Sequence, residues 1–325
     1  MVILYSPRCL EYAAVGHPES PERVRPTVAR LQREFHTWEA PKPCSDDDIL
    51  RVHTRRMLDA VRSGGFEDAD TPFFPEILEI AKLSAGAAMR AAEHALAGHP
   101  AFSLMRPPGH HAQRDRIMGF CYLNNIAIAV ARILEDRRQE TENRRPKTED
   151  GRQEAEDGQP RTGNREPRTD IRKVAILDFD CHHGNGTEDI FRGDDRVLFV
   201  SLHQSPCYPG TGLTSEGNII NYPLAPGTDP KQFLEAFDSA LGRVRDFNPQ
   251  LLAVSAGFDS YKDDPITHMN LEVETFYEIG QRIANLTKPS APNATALPSF
   301  AVLEGGYSRE FPQCVDAYIS GWEGH

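Results

Sequence analysis

Five short apolar runs without polar alternation, each passing directly into a dense polar cluster, constrain this chain more than any other feature. They are AFSLM (101–105), VAILDF (174–179), VLFVSL (197–202), LLAVSA (251–256) and FAVL (300–303). A strand buried on one face alternates; a run that does not alternate reads as a strand buried on both. Helical patterns lie between them. EILEIAKLSAGAAMRAAEHAL (76–96) is Ala-rich and stops at Gly98, and PKQFLEAFDSALGRVRDF (230–247) follows Asp229, an N-cap residue, with Pro230 at its first position. LEVETFYEIGQRIANL (271–286) has helical spacing. Strands alternating with helices predict an α/β fold, a mostly parallel sheet with helices on both faces. The clusters after the five runs are RPPGHH, DCHHGNG, HQSPCYPGTG, GFD and EGGY. Ligands of open α/β sheets bind outside the carboxyl ends of the strands, so five polar clusters converging on that edge predict a functional site.

The remaining features bound the function. At 325 residues the chain suffices for one large domain or two small ones. Its net charge of −12 argues against a phosphate-backbone binder and is compatible with steering a cationic substrate inward. The N-terminus has a four-residue apolar start without a basic region, which reads as a first strand and not a signal peptide. No stretch reaches the length of a membrane span. The six cysteines are scattered without a C-x-x-C pair, which fits reduced thiols in a cytoplasmic protein. Residues 137–170 contain no Val, Ile, Leu, Met or aromatic residue and read as a disordered surface insertion. PSAPNATALP (289–298) reads as a linker, and no internal repeat is visible.

The cluster Asp178-Phe179-Asp180-Cys181-His182-His183 is the most informative. If the strand continues through it, Asp178, Asp180 and His182 project to one side, and Cys181 points away. Two carboxylates and an imidazole on one face repel one another unless a cation or a hydrogen-bonded polar network sits among them. Both arrangements are open from these residues, although carboxylate oxygen and imidazole nitrogen are proper zinc donors. Asp259 ends another buried run; such an aspartate is ordinarily a helix N-cap, but it is also placed to supply a third ligand and leave a catalytic position open. His110 and His111 follow a rigid R-P-P-G turn. Beside a metal, neutral imidazole titrates where it can take and return a proton. Tyr307, on a Gly-Gly turn, either packs with an exposed hydroxyl or swings its phenol toward the site.

Taken together, these motifs resemble the histone deacetylase family, including its bacterial acetylpolyamine and acetoin-utilisation relatives. The matching segments are GHPESPERV (16–24), SAGAAMRAAE (84–93), RPPGHHA (106–112), MGFCYLNNIAIA (118–129), DFDCHHGNGTEDIF (178–191), SLHQSPCYPGTG (201–212), AGFDSYKDDP (256–265) and LEGGY (303–307), in order along nearly the whole chain. The resemblance implies the arginase–deacetylase fold, one domain over 1–325 around a parallel sheet of about eight strands. It implies zinc held by Asp180, His182 and Asp259, with iron as an alternative metal. His111 would be the general base and then acid, His110 its electrostatic partner oriented by Asp178, and Tyr307 the donor to the polarised carbonyl. Gly119 would accept from the substrate amide, and Phe120 and Tyr208 would wall a narrow acyl-lysine tunnel. A structural potassium site would be formed by Asp178, Asp180, His182, Ser201 and Leu202, mainly through main-chain oxygens. Arg23 matches an arginine below the metal. Two carboxylate ligands offset most of a divalent ion's charge, so water there is acidified less than in an all-histidine site and a nearby base is required.

Three departures matter. Asn185 stands where some branches place an aspartate behind the second histidine, so it orients the ring without adding charge; the match is closer to the class II-like branch. Residues 137–170 make a longer connection than usual. Ile266 stands where polyamine-selective relatives place a glutamate, which argues against dedicated acetylpolyamine specificity, although Asp68 and Asp70 could act at the rim instead. The expected activity is therefore zinc-dependent hydrolysis of an acyl-amine amide, with an acylated lysine peptide or an acylated small amine as substrate and neither nucleic acid nor membrane as a direct partner. A non-catalytic acyl-lysine binder should have lost Tyr307, a histidine or a ligand, and none is missing. An arginase-like ureohydrolase with two manganese ions needs a D-A-H-x-D pattern, which is absent.

Overall fold

The computed structural model describes residues 1–143, 171–289 and 295–324, with residues 136–143 described at the backbone only. Eight strands form one sheet in the order β2-β1-β3-β8-β7-β4-β5-β6, parallel throughout. They are β1 (Val2–Leu4), β2 (Thr37–Glu39), β3 (Ala101–Ser103), β4 (Val174–Asp178), β5 (Val197–Gln204), β6 (Ile219–Leu224), β7 (Leu251–Ala256) and β8 (Ser299–Leu303). The five apolar runs thus become the five contiguous strands β3-β8-β7-β4-β5. Every residue of those strands is buried, as expected of strands covered on both faces. The N-terminal run forms β1 as its composition suggested. The edges were not legible: β2 has three residues, one exposed and two half-buried, and β6 alternates and contains Pro223, which an edge strand tolerates.

The helices are α1 (Pro21–Leu31), α2 (Asp46–Leu50), α3 (Arg55–Ser63), α4 (Ile77–Leu96), α5 (Asn125–Asn143), α6 (Asn185–Phe191), α7 (Pro230–Phe247), α8 (Val273–Thr287) and α9 (Phe311–Glu323). Helix α7 begins where the sequence signals it: the Asp229 side chain accepts from the Gln232 amide, the Gln232 side chain returns a bond to the Asp229 backbone, and Asn248 closes the helix in a left-handed conformation. Helix α4 packs on β1, β3 and β8 and helix α7 on β5 and β6, while α8 lies along α9. Helix α5 runs to Asn143, into the stretch read as an insertion, and residues 144–170 lie outside the described residues, as do 290–294 of the expected linker. Among the described residues no helix is long and apolar enough to cross a membrane.

Candidate active site

The polar clusters meet at the carboxyl edge of the sheet, and their local turns explain how. Strand β4 stops at Asp178, so Asp180 and His182 are not on a strand face as the alternation argument supposed. The Asp178 carboxylate accepts the amide of Asp180 (3.1 Å), and the Asp180 carboxylate accepts the amide of His182 (2.8 Å). Each aspartate turns the chain two residues on, and the D-x-D-x-H spacing is two such turns in series. The result still brings Asp180, His182 and Asp259 together: one ligand atom from each lies within 4.8 Å of the others. His182 Nδ1 is 3.1 Å from Asp180 Oδ1 and 2.8 Å from Asp259 Oδ2. The outer oxygens are held by main-chain donors, Cys181 N to Asp259 Oδ1 (2.8 Å) and Gly305 N to Asp180 Oδ2 (2.7 Å).

This donor set fits a divalent cation. Both carboxylates have no solvent exposure, and two such charges within 4.8 Å of one another need a positive partner. Burial pushes the Asp259 carboxyl up, with the neighbouring Asp180 charge adding to it. Burial opposes protonation of His182, but Asp259 and Asp180 outweigh it and hold its pKa well above the ordinary value. A proton on that ring and a metal ion are alternatives for the same negative pocket. The backbone also leaves room at the carboxylates: a Cβ on Gly305 would lie 2.4 Å from Asp259 Oδ2 and 2.6 Å from Asp180 Oδ2.

Two buried histidines flank this centre with their ring centroids 4.1 Å apart. His110 Nδ1 bonds to Asp178 Oδ2 at 3.0 Å, and its Nε2 lies 3.8 Å from Asp180 Oδ1. Burial would lower its pKa, yet Asp180, Asp178 and Glu304 raise it to about 10. His111 Nδ1 instead faces the uncharged Asn185 Oδ1 at 2.7 Å. Burial, with the charges on His110 and His182, drives its pKa well below the ordinary value. The pair is therefore asymmetric, a retained cation beside a neutral imidazole, and it is the neutral ring that can accept a proton.

Tyr307 follows the Gly305-Gly306 turn. Its amide donates to Asp264 Oδ2 (2.7 Å), its ring meets Phe120 edge-on at 5.8 Å, and the Arg23 guanidinium lies 4.5 Å from its ring centre. Its hydroxyl makes no hydrogen bond among the described residues. Gly119 and Phe120 both adopt left-handed φ (59° and 68°), which turns the chain sharply against His111; a Cβ on Gly119 would be 2.6 Å from the His111 ring. Tyr208 stands edge-on to His111 at 5.2 Å and is 38% exposed, at the mouth of the site. Ser201 and Leu202 are buried on β5, where Ser201 pairs in register with Asp178 and its hydroxyl bonds to His203 (2.9 Å). Asp68 is engaged internally, its Oδ2 accepting from Gly119 N (3.3 Å) and from the Thr71 hydroxyl (2.6 Å).

Four buried charged residues escaped the sequence reading. Glu304 accepts from Gly109 N (2.7 Å), His110 N (3.1 Å) and Ser255 Oγ (3.0 Å), and burial raises its pKa to about 7. Its signal was present: like Asp259 it follows an apolar run almost directly. Asp264 anchors the Tyr307 amide. Glu19 and Arg106 form a buried pair behind the His110 loop.

A family profile described as the histone deacetylase domain matches residues 17–144 and 164–321, with the interruption inside 137–170. The chain is 36% identical to a probable deacetylase of Archaeoglobus fulgidus, over 90% of this chain and 77% of that protein. It is 34% identical to the histone deacetylase-like amidohydrolase of Pseudomonas aeruginosa, over 96% of this chain and 78% of the other. Its fold superposes on the crystal structure of acetylpolyamine aminohydrolase from Burkholderia pseudomallei with a TM-score of 0.77 at 26% identity, covering 99% and 98% of the two chains. With profile, relatives and eight-stranded parallel fold in agreement, this chain belongs to the histone deacetylase family of amide-hydrolysing enzymes.

Proposed function

We propose that the protein is a zinc-dependent deacetylase that removes acetyl or related acyl groups from lysine-type amines. The observation that carries this reading is the convergence of two fully buried carboxylates and one imidazole beside an uncharged, buried His111. Asp180, His182 and Asp259 would hold the ion, and zinc bound there supplies Lewis acidity toward the substrate carbonyl and the attacking water. His111, poised neutral by burial, takes the water proton and returns it to the departing amine. Asn185 holds its far nitrogen so that the other faces the site. His110, kept charged by Asp178, stabilises developing negative charge through its position next to His111. The free hydroxyl of Tyr307 donates to the carbonyl oxygen as it becomes an oxyanion, a contribution of about 3 kcal/mol for one such donor. Gly119 offers its carbonyl to the substrate amide, and Phe120 and Tyr208 line the approach. Potassium bound by Asp178, Asp180, His182, Ser201 and Leu202, mainly through main-chain oxygens, would brace the same turns from below. Substrates are an acylated lysine in a peptide or an acylated small amine.

The test pairs activity with metal content. His111→Ala and Tyr307→Phe should each lose at least about 100-fold in kcat/KM on an acetyl-lysine peptide, with one zinc per chain retained. Wild-type turnover in both variants would refute the mechanism, and two tightly bound metals per chain would favour ureohydrolase chemistry instead.

A further inference from the structure

Tyr307 is carried by two consecutive glycines, which supply no side chains of their own to fix the turn, and its hydroxyl has no protein partner among the described residues. The phenol must therefore be aimed from outside the turn. Three grips are visible. Asp264 holds the Tyr307 amide. Arg23 donates from Nε to the Gly306 carbonyl (2.7 Å) and from Nη2 to the Glu304 carbonyl (2.5 Å), so it clasps the turn on both sides. The same guanidinium lies against the Tyr307 ring. Arg23 is a long, rotatable side chain, buried to 5% exposure, and what orients it is Glu19.

Glu19 is buried to 3% exposure, and all of its acceptor capacity is used. Oε1 accepts from Arg23 Nη1 (2.9 Å) and Arg106 Nε (2.6 Å), and Oε2 accepts from the Tyr12 hydroxyl (2.9 Å) and from Arg106 Nη2. Arg106 is fully buried; it donates also to the Cys9 carbonyl (2.6 Å) and begins the R-P-P-G-H-H segment that carries His110 and His111. One carboxylate thus separates and fixes two buried guanidiniums. One of them belongs to the histidine loop, and the other clasps the tyrosine turn.

We propose that Glu19 is a positioning residue for the reaction: through Arg23 it sets where the Tyr307 hydroxyl stands relative to the histidine loop. The Glu19 carboxylate bonds to none of the metal ligands; its backbone amide donates to His17 Nδ1 (3.1 Å), whose ring stands edge-on to Phe120. A carboxamide in place of the Glu19 carboxylate keeps the size but removes the charge between the two guanidiniums and turns one acceptor into a donor. Whichever oxygen is replaced, an Arg106 N–H loses its acceptor and the shared hold on Arg23 and Arg106 is weakened. The expected consequence is a shift of the turn by a fraction of an ångström to about 1 Å, a scale on which catalysis falls by as much as about 100-fold.

This inference rests on Tyr307 acting as proposed above, and a double-mutant cycle separates the two. Zinc-loaded wild type, Glu19→Gln, Tyr307→Phe and the double variant are compared on a trifluoroacetyl-lysine peptide, whose activated amide keeps slow variants measurable. Glu19→Gln should lose on the order of 30-fold in kcat with KM within about twofold, at unchanged zinc content. In the Tyr307→Phe background the same change should cost less than about twofold, because the hydroxyl it aims is gone. An equal loss in both backgrounds, or wild-type kcat in Glu19→Gln, overturns the role of Glu19 alone. Wild-type rates in Tyr307→Phe overturn the tyrosine assignment and this inference with it. Should Glu19→Gln not fold, Glu19→Asp, which keeps the charge but shortens its reach, goes through the same cycle with the same deciding outcomes.

Discussion

At the scale of single residues, the centre is as much a matter of missing atoms as of present ones. Gly305 passes its amide to Asp180 Oδ2, and any Cβ there would sit 2.4 Å from Asp259 Oδ2. Gly305→Ala must therefore push the two carboxylates apart or move the turn that carries Tyr307. It should weaken zinc binding at least about 10-fold, read by competition with a chelating dye, and activity should recover in part when zinc is raised. Undiminished zinc affinity in this variant would show that the close approach is not needed. The convergence of Asp180 and His182 could be read from the sequence because the chemistry of Asp-x-Asp-x-His is unusual at a strand end, even though the reason given, strand alternation, was not the operating one. Glu19 and Arg106 were not legible in the same way. Each is an ordinary charged residue whose burial and partners, up to 97 residues apart, exist only in the fold.

At the scale of elements, the runs that carry no alternation were readable because burial on both faces erases polar residues altogether. The short β2 and the alternating, proline-containing β6 were not, because edge strands share their composition with loops. Junctions between elements were equally silent, and one of them has a pH signature. His53, just before α3, joins that helix to the start of α5: the Asn124 amide donates to its Nε2 (2.9 Å), leaving Nδ1 to donate to the Gln113 carbonyl (2.9 Å). The bond at Nε2 requires the neutral ring, and burial lowers its pKa from 6.5 to about 4. Since the unfolded chain takes up this proton first, the contribution is intact above pH 6.5 and lost as the pH falls from there toward 4. Between pH 7.5 and pH 5 this one site should cost about 2 kcal/mol. Urea unfolding at the two pH values should show the stability difference between wild type and His53→Gln falling by about that amount from pH 7.5 to pH 5. An unchanged difference would mean that the junction does not titrate in this range.

For the whole molecule, the Asp180–His182–Asp259 cluster is where separate parts of the sheet are tied together. Asp180 and His182 follow β4, Asp259 follows β7, and Gly305 follows β8, three strands adjacent in the sheet. Without a cation the fold must keep two unexposed carboxylates within 4.8 Å of one another and offset them with a proton on His182, so native structure and metal occupancy are thermodynamically linked. A ligand that binds only the native state stabilises it by RT ln(1 + [L]/Kd), about 4 kcal/mol when free zinc exceeds its Kd 1,000-fold. Removing zinc with a chelator should therefore lower the unfolding midpoint by several degrees, and the shift should reverse on adding the ion back. Because the ion and the His182 proton compete, the zinc-dependent part of the shift should shrink as the pH is lowered. Asp259→Asn decides the origin of the effect: it removes one buried charge and one ligand together. Its metal-free form should be no less stable than the metal-free wild type, and its midpoint should ignore the chelator. A chelator response that survives in Asp259→Asn would place the stabilising ion elsewhere in the molecule.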